Sequence, residues 1–70
     1  MSQWPSVKAR ILLRALLAIG WREKRQVGSH RTLAREGSAD FVFAFHDSEE
    51  IGPRMVARVA KRTGLTVSDL

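Results

Sequence analysis

Residues 21–45 have the sequence WREKRQVGSHRTLAREGSADFVFAF, which divides into three extended segments separated by two turns. Side chains alternate along each segment with the period of two that is typical of β-strands. Glycine adopts the positive φ of tight turns, so Val27-Gly28 and Glu36-Gly37-Ser38 are predicted to reverse the chain. We therefore predict an antiparallel sheet with three strands, at about 21–26, 29–35 and 39–45.

The third segment shows the alternation most clearly and indicates which face of the sheet is buried. Phe41, Phe43 and Phe45 fall on one side, and Val42 and Ala44 fall on the other. Such a pattern is typical of a strand that is buried on one face. We interpret the phenylalanines as core residues rather than as a surface for stacking bases.

Alternation also assigns faces to the charged residues of the first two segments. Glu23 and Arg25 are two positions apart, so they are expected on the same face of the first strand. In the second strand, His30 is expected on the face opposite Arg31.

Segments with helical periodicity precede and follow the three predicted strands in the sequence. Over about 6–19, apolar residues recur at spacings of three and four, and Ser6 or Ser2 is expected to cap the start. A second helix is predicted over about 53–63, with proline in its first position and Gly64 after its end. The order helix, three antiparallel strands, helix (α-β-β-β-α) predicts an α+β fold, with both helices on one face of the sheet.

The second helix is predicted to be amphipathic. Its buried stripe comprises Met55, Val56, Val59 and Ala60. The opposite face carries Arg54, Arg58, Lys61 and Arg62. A charged helix face is usually only solvated, but these four residues are also candidates for contacts with RNA phosphates or with an acidic protein surface.

Composition limits the classes of function that the chain can have. Its 70 residues suffice for one domain, which we expect to span 1–70, and the absence of cysteine excludes disulfides and thiolate zinc sites. With 2 histidines and 7 carboxylates, we expect no metal and no cofactor. The apolar stretch Ile11–Ile19 is interrupted by Arg14 and is shorter than the roughly 20 residues that cross a bilayer. We expect a cytoplasmic protein that has no contact with membranes.

The triplet Gly28-Ser29-His30 is the candidate catalytic motif. The net charge of +5 and the pI of about 11.2 indicate a polyanionic partner. Histidine can accept a proton near neutral pH, so His30 could remove the proton from a ribose 2′-hydroxyl. Lys24, Arg25 and Arg31 are the cations nearest in sequence that could bind the phosphate. Gly28 and Ser29 are expected to form the supporting turn.

The other histidine, His46, follows the third segment. A histidine at the end of a strand more often caps a loop or contacts the sheet, and a role as supporting acid is the weaker alternative. We therefore assign catalysis to His30 alone and leave the role of His46 open.

Several short motifs together resemble the HicA family of bacterial toxins. They are Gly20-Trp21, Arg25-Gln26, Gly28-Ser29-His30, His46 with Glu50-Ile51, and Gly64-Leu65. The resemblance implies a fold similar to the double-stranded-RNA-binding domain, an endoribonuclease that cleaves messenger RNA with the histidine of the triplet, and a HicB-like antitoxin partner. It also makes the basic residues of the second helix candidates for antitoxin contacts.

Three functions are compatible with these features. The first is the toxin of a type II toxin–antitoxin system, a metal-independent endoribonuclease that cuts single-stranded or locally open mRNA. The second is a non-catalytic module that binds RNA or another nucleic acid through the same arginines. The third is an inactive relic of the toxin family that binds only its antitoxin.

Overall fold

A computed structural model of the chain describes residues 3–70. Within this range the chain forms two α-helices, a three-stranded sheet and a separate two-stranded sheet. In chain order the elements are β1 (Val7–Lys8), α1 (Ala9–Ala18), β2 (Arg22–Val27), β3 (His30–Ala34), β4 (Phe41–Phe43), β5 (Glu50–Ile51) and α2 (Pro53–Thr63). One turn of 3₁₀ helix, Val67–Asp69, follows α2.

The three-stranded sheet has the order β2-β3-β4, and both of its strand pairs are antiparallel. Both helices pack on one of its faces, and their side chains form a single core with the sheet and the segments beside it. That core comprises Ala9, Leu12, Ala15, Leu16, Trp21, Leu33, Phe43, Ile51, Val56, Val59, Ala60 and Leu65. The structure confirms the α+β class and the order helix, three antiparallel strands, helix.

Strand β4 is shorter than the alternation of its side chains suggests. Phe43 pairs with Arg31, so Ala44 and Phe45 would have to pair with His30 and Ser29. The chain begins to turn at this point of β3, and the ladder ends there. Phe45 nevertheless packs partly buried against the core, as does Phe41, so the predicted burial of the phenylalanines is correct.

The small sheet of β1 and β5 was not predicted. Val7 pairs with Ile51 and Lys8 with Glu50, so the segment expected to open the first helix is extended instead. Helix α1 therefore begins at Ala9 rather than at residue 6. The predicted cap at Ser6 is wrong, since Lys8 occupies the N-cap position without a side-chain cap, and Ser2 lies outside the described residues.

The first amide groups of α1 are satisfied by the loop before β5. The Ala9 amide donates to the Glu49 carbonyl at 2.8 Å, and the Arg10 amide donates to the Asp47 carbonyl at 3.1 Å. Backbone carbonyls thus replace the side-chain cap at this helix end. These bonds fix the loop that carries His46 against α1.

Trp21 ties the start of the sheet to the end of α2. Its side chain is buried, and its indole Nε1 donates a hydrogen bond of 3.0 Å to the carbonyl of Thr63. The Thr63 hydroxyl in turn donates to the Val59 carbonyl at 2.8 Å. After Thr63, Gly64 takes a φ of 82° and ends α2 in the left-handed cap that was expected.

One residue of the predicted stripe of α2 is not in the core. Met55 is 38% exposed, whereas Val56, Val59 and Ala60 are buried. Three buried positions already fill the contact of α2 with the sheet, so Met55 lies at the margin of this contact. It lies beside the edge strand β4.

Candidate functional site

The candidate catalytic triplet lies at the tip of the hairpin that joins β2 to β3. Val27 pairs with His30, so Gly28 and Ser29 form a two-residue loop, and β2 extends one residue further than predicted. Gly28 has a φ of 61°, and no non-glycine residue in residues 3–70 has a positive φ. Glycine at the first loop position and a negative φ at the second match a type II′ turn, which suits a two-residue hairpin.

The turn is held by a side chain of β2. The Gln26 amide nitrogen donates a hydrogen bond of 3.0 Å to the carbonyl of Gly28. Gln26 pairs with Arg31 across the hairpin, so its side chain lies on the helix-covered face. The tip therefore has a defined geometry on the side that faces the helices.

His30 lies on the open face of the sheet. It is exposed, and the position next to it, Arg31, pairs with the buried Phe43 on the opposite face. The predicted alternation of His30 and Arg31 is thus correct. An exposed imidazole at a hairpin tip can be reached by a large substrate.

Arg25 shares the open face with His30, because a register shift in β2 separates it from Glu23. Glu23 pairs with Leu33, whereas Arg25 pairs with Thr32, two positions before the Val27–His30 pair. The prediction that Glu23 and Arg25 share a face is therefore wrong, since a bulge at Lys24 breaks the alternation. Arg25 is exposed and has no ion pair within the described part of the chain.

Arg31 does not join His30. Its side chain lies on the helix-covered face, where Nε is 3.2 Å from Glu23 Oε1 and Nη1 is 3.3 Å from Asp47 Oδ1. The buried Nε makes the first contact as an ion pair without a well-aligned hydrogen bond. With 17% of its side chain exposed, Arg31 is committed to two carboxylates of the protein itself.

Lys24 also has a partner in the protein. Its ammonium group lies 3.0 Å from Asp40 Oδ2, and both side chains are nearly half exposed. Of the three cations expected around His30, the structure therefore leaves only Arg25 both unpaired and on the same face.

A cleft of about 610 Å³ lies behind the hairpin tip, on the side of α1. Its lining includes Arg10, Gly28, Ser29, Arg31, His46 and Ser48. The sequence motifs indicate no function for Arg10 and leave the role of His46 open. Arg10 and His46 come close to the Gly28-Ser29 turn because backbone hydrogen bonds hold the loop before β5 against α1. No local sequence motif predicts this contact between distant segments.

The four basic residues of α2 are exposed, as the helical period predicts, but they do not form one uniform surface. Arg58 and Arg62 line a groove beside β4, whereas Arg54 and Lys61 do not. The Arg62 guanidinium lies 5.8 Å from the centre of the Phe41 ring, within the range of a cation–π contact.

The structure also bears on metal and membrane sites. In residues 3–70, no group of three or more histidine, aspartate or glutamate side chains is placed so that it could hold a metal ion. No helix in the same range is both long enough and apolar enough to span a bilayer.

Comparison with protein families gives one match. The model of the family described as the HicA toxin of bacterial toxin–antitoxin systems matches residues 9–65, which cover both helices and all three strands of the larger sheet. The chain belongs to the HicA toxin family. No curated protein and no solved structure matches it significantly.

Membership in this family makes the chain a toxin of a toxin–antitoxin system. It confirms the resemblance found in the sequence motifs, and it implies an antitoxin as partner. The matched range includes the hairpin tip with Gly28-Ser29-His30 and all of α2.

Proposed function

We propose that this HicA-family chain is a metal-independent endoribonuclease that cleaves mRNA with His30 as its catalytic base. The observation that carries the proposal is the position of His30. Its imidazole is exposed at the tip of a hairpin with a two-residue loop, on the same face of the sheet as the unpaired Arg25. Family membership supports the toxin role, and the geometry of the tip supports the chemistry.

The reaction requires a base, an internal nucleophile and a cation. His30 takes the proton from a ribose 2′-hydroxyl, and the 2′-oxygen attacks the adjacent phosphorus. The bond from phosphorus to the 5′-oxygen breaks, and this oxygen leaves with a proton from water. The resulting hydroxide takes the proton that His30 received, which restores both the water and the neutral base. The products are a 2′,3′-cyclic phosphate and a 5′-hydroxyl end.

Arg25 is the cation that we assign to the reacting phosphate. The pairs Arg25–Thr32 and Val27–His30 place Arg25 and His30 on diagonal positions of one face, where neighbouring residues are typically about 7–8 Å apart. A phosphate fits between two long side chains at that spacing. The guanidinium can then stabilise the charge that grows on the phosphate oxygens. Gly28 supports the site by forming the turn, and its lack of a side chain lets RNA approach the backbone.

Single-stranded or locally open RNA fits this site best. The 2′-oxygen must align with the leaving oxygen for attack, and a regular A-form helix does not allow that alignment. The open face is broad rather than pocketed around His30, so we assign no preference for one base.

The test compares wild-type protein with His30→Ala on a single-stranded RNA, in the presence of EDTA. We expect wild-type cleavage that leaves cyclic phosphate ends, and a rate lowered by about 10²–10⁴-fold in the variant. Circular dichroism should show that His30→Ala folds normally, since the side chain is exposed. DNA of the same sequence, which lacks the 2′-hydroxyl, should remain uncut.

Each other outcome identifies a different function. RNA binding without cleavage by the wild-type protein would indicate the non-catalytic module. Neither binding nor cleavage would indicate the relic that binds only its antitoxin. Loss of cleavage on adding EDTA would exclude the metal-independent mechanism. Equal losses in His30→Ala and His46→Ala would replace the single-histidine mechanism with one that uses both.

A further inference from the structure

A groove of about 270 Å³ separates the edge strand β4 from helix α2. Strand β4 pairs with β3 on one side only, and no strand in the described part of the chain pairs with its outer side. The side chains around the groove come from both elements: Phe41, Val42, Phe45, Met55, Arg58 and Arg62. An open strand edge, an apolar lining and two cations therefore meet in one place.

The apolar lining is exposed on both walls of the groove. Val42 on β4 is 52% exposed and Met55 on α2 is 38% exposed. Phe41 and Phe45 are only partly buried and extend the apolar surface that Val42 and Met55 form. Burial of such surface stabilises a complex by about 25 cal/mol per Å². Phosphates gain nothing from these side chains, so the lining favours a protein segment over an RNA backbone.

The charges of the groove have one sign. None of the described residues that line it is acidic. Arg58 and Arg62 are four positions apart on α2 and thus share a face, and neither has an ion pair within residues 3–70. An occupant with acidic side chains would complement this charge.

We propose that this groove binds an extended segment of the antitoxin that carries alternating acidic and apolar side chains. The segment adds to the outer side of β4 as a further strand, with backbone hydrogen bonds to the strand edge. Because side chains alternate along a strand, its apolar residues lie beside Val42, and its acidic residues point toward α2. The carboxylates then reach Arg58 and Arg62, and the aliphatic stems that carry them contact Met55. The three residues of β4, Phe41–Phe43, offer an edge of roughly 7 Å, which pairs with about three extended residues of the added segment.

The groove is lined mainly from the helix-covered side, and of the β4 residues that line it only Val42 lies on the face of the sheet that carries His30. Arg58 and Arg62 lie on α2, which covers the face of the sheet opposite His30. The inference rests on the antitoxin that family membership implies and not on cleavage of RNA by His30. The two proposals can therefore fail independently.

The probe for this surface is an acetylated hexapeptide of alternating glutamate and valine, titrated into the ¹⁵N-labelled full chain and followed by NMR. We expect chemical-shift changes that concentrate in residues 41–45 and in α2. Two variants with equal charge change are then compared. Arg58→Glu with Arg62→Glu alters the groove, and Arg54→Glu with Lys61→Glu alters the same helix outside it.

The groove variant should bind the peptide about tenfold more weakly than the control variant, because two exposed ion pairs together contribute up to about 2 kcal/mol and tenfold corresponds to about 1.4 kcal/mol. Amide spectra of both variants should show that the fold is kept. Equal weakening in the two variants would mean that the peptide senses only net charge, and it would overturn the proposal.

The apolar part of the proposal has its own matched pair. Met55 and Val67 are 38% and 37% exposed, but only Met55 lines the groove. Met55→Ser should weaken the peptide, and Val67→Ser should not. A 2′-O-methylated hexauridine, which cannot be cleaved, should leave the groove signals unchanged. Shifts at Arg58 and Arg62 with this RNA but not with the peptide would make the groove an RNA surface instead.

Discussion

The two faces of the three-stranded sheet use their charged residues in different ways. On the face that the helices cover, Arg31 is mostly buried and is held by Glu23 and Asp47. On the open face, Arg25 and His30 are exposed, and neither has a side-chain partner among residues 3–70. Burial makes an unpaired charge costly, whereas water tolerates it. The unpaired groups are therefore the ones that remain available to a ligand, and the following predictions test this contrast.

The largest expected difference is between two neighbouring residues of β4. Phe43 is fully buried and Val42 is 52% exposed, so they represent the covered and the open face. Phe43→Ala should lower the free energy of unfolding by about 3–5 kcal/mol, because it leaves a cavity in the core. Val42→Ala should change it by no more than about 0.5 kcal/mol. Urea denaturation measures both.

Two outcomes would contradict the assignment of these faces. A large loss of stability in Val42→Ala would show that the open face is packed against something. A small loss in Phe43→Ala would show that the core can collapse around the missing ring. The total stability of a chain of this length is about 4–10 kcal/mol, so Phe43→Ala should leave a marginally stable protein.

The second prediction compares alanine substitutions of Arg31 and Arg25. Arg31→Ala should lower the free energy of unfolding by about 1–2 kcal/mol, since the packing of its mostly buried side chain is lost together with two ion pairs. Arg25→Ala should leave stability within about 0.5 kcal/mol. It should, however, weaken binding to single-stranded RNA and reduce the slope of log K against log salt by about 0.7, the value for one phosphate contact.

Urea denaturation and fluorescence anisotropy at several salt concentrations separate these effects. His30→Ala serves as the background for the RNA measurements, because cleavage would otherwise change the ligand. If Arg31→Ala reduced the salt slope as much as Arg25→Ala does, the ion pairs of Arg31 would open in the complex. The division of charges between the faces would then hold only for the free protein.

The core and the order of its main elements could be predicted from periodicity. Alternation placed the phenylalanines of the third segment on the buried side, and the helical stripe placed Val56, Val59 and Ala60 there. Both patterns depend only on the direction of neighbouring side chains along one element. The left-handed end of α2 at Gly64 could be predicted for the same reason, since glycine favours that conformation locally.

Contacts between distant segments could not be predicted in this way. The pairing of β1 with β5 joins segments more than 40 residues apart, and it displaced the expected start of the first helix. The bulge at Lys24 moved Arg25 to the open face, which no regular alternation predicts. Proximity in sequence also suggested that Arg31 and Lys24 surround His30, whereas in the structure both are paired with carboxylates that are distant in sequence.

The smallest expected effect concerns Lys24. Its charge is paired, like that of Arg31, but its side chain is exposed, like that of Arg25. Its pair with Asp40 is exposed, and such pairs contribute only about 0–1 kcal/mol to stability. A pair this weak can open when a phosphate approaches. Asp40→Asn should therefore release Lys24 and strengthen RNA binding by about twofold, and it should lower stability by at most about 1 kcal/mol.

Glu36→Gln is the matched control, because it removes the same charge from the loop between β3 and β4, where Glu36 has no ion pair in the described chain. Equal gains in the two variants would mean that only net charge matters. A gain confined to Asp40→Asn would show that an exposed carboxylate of the chain can hold Lys24 in reserve, and that pairing in this toxin is graded by burial.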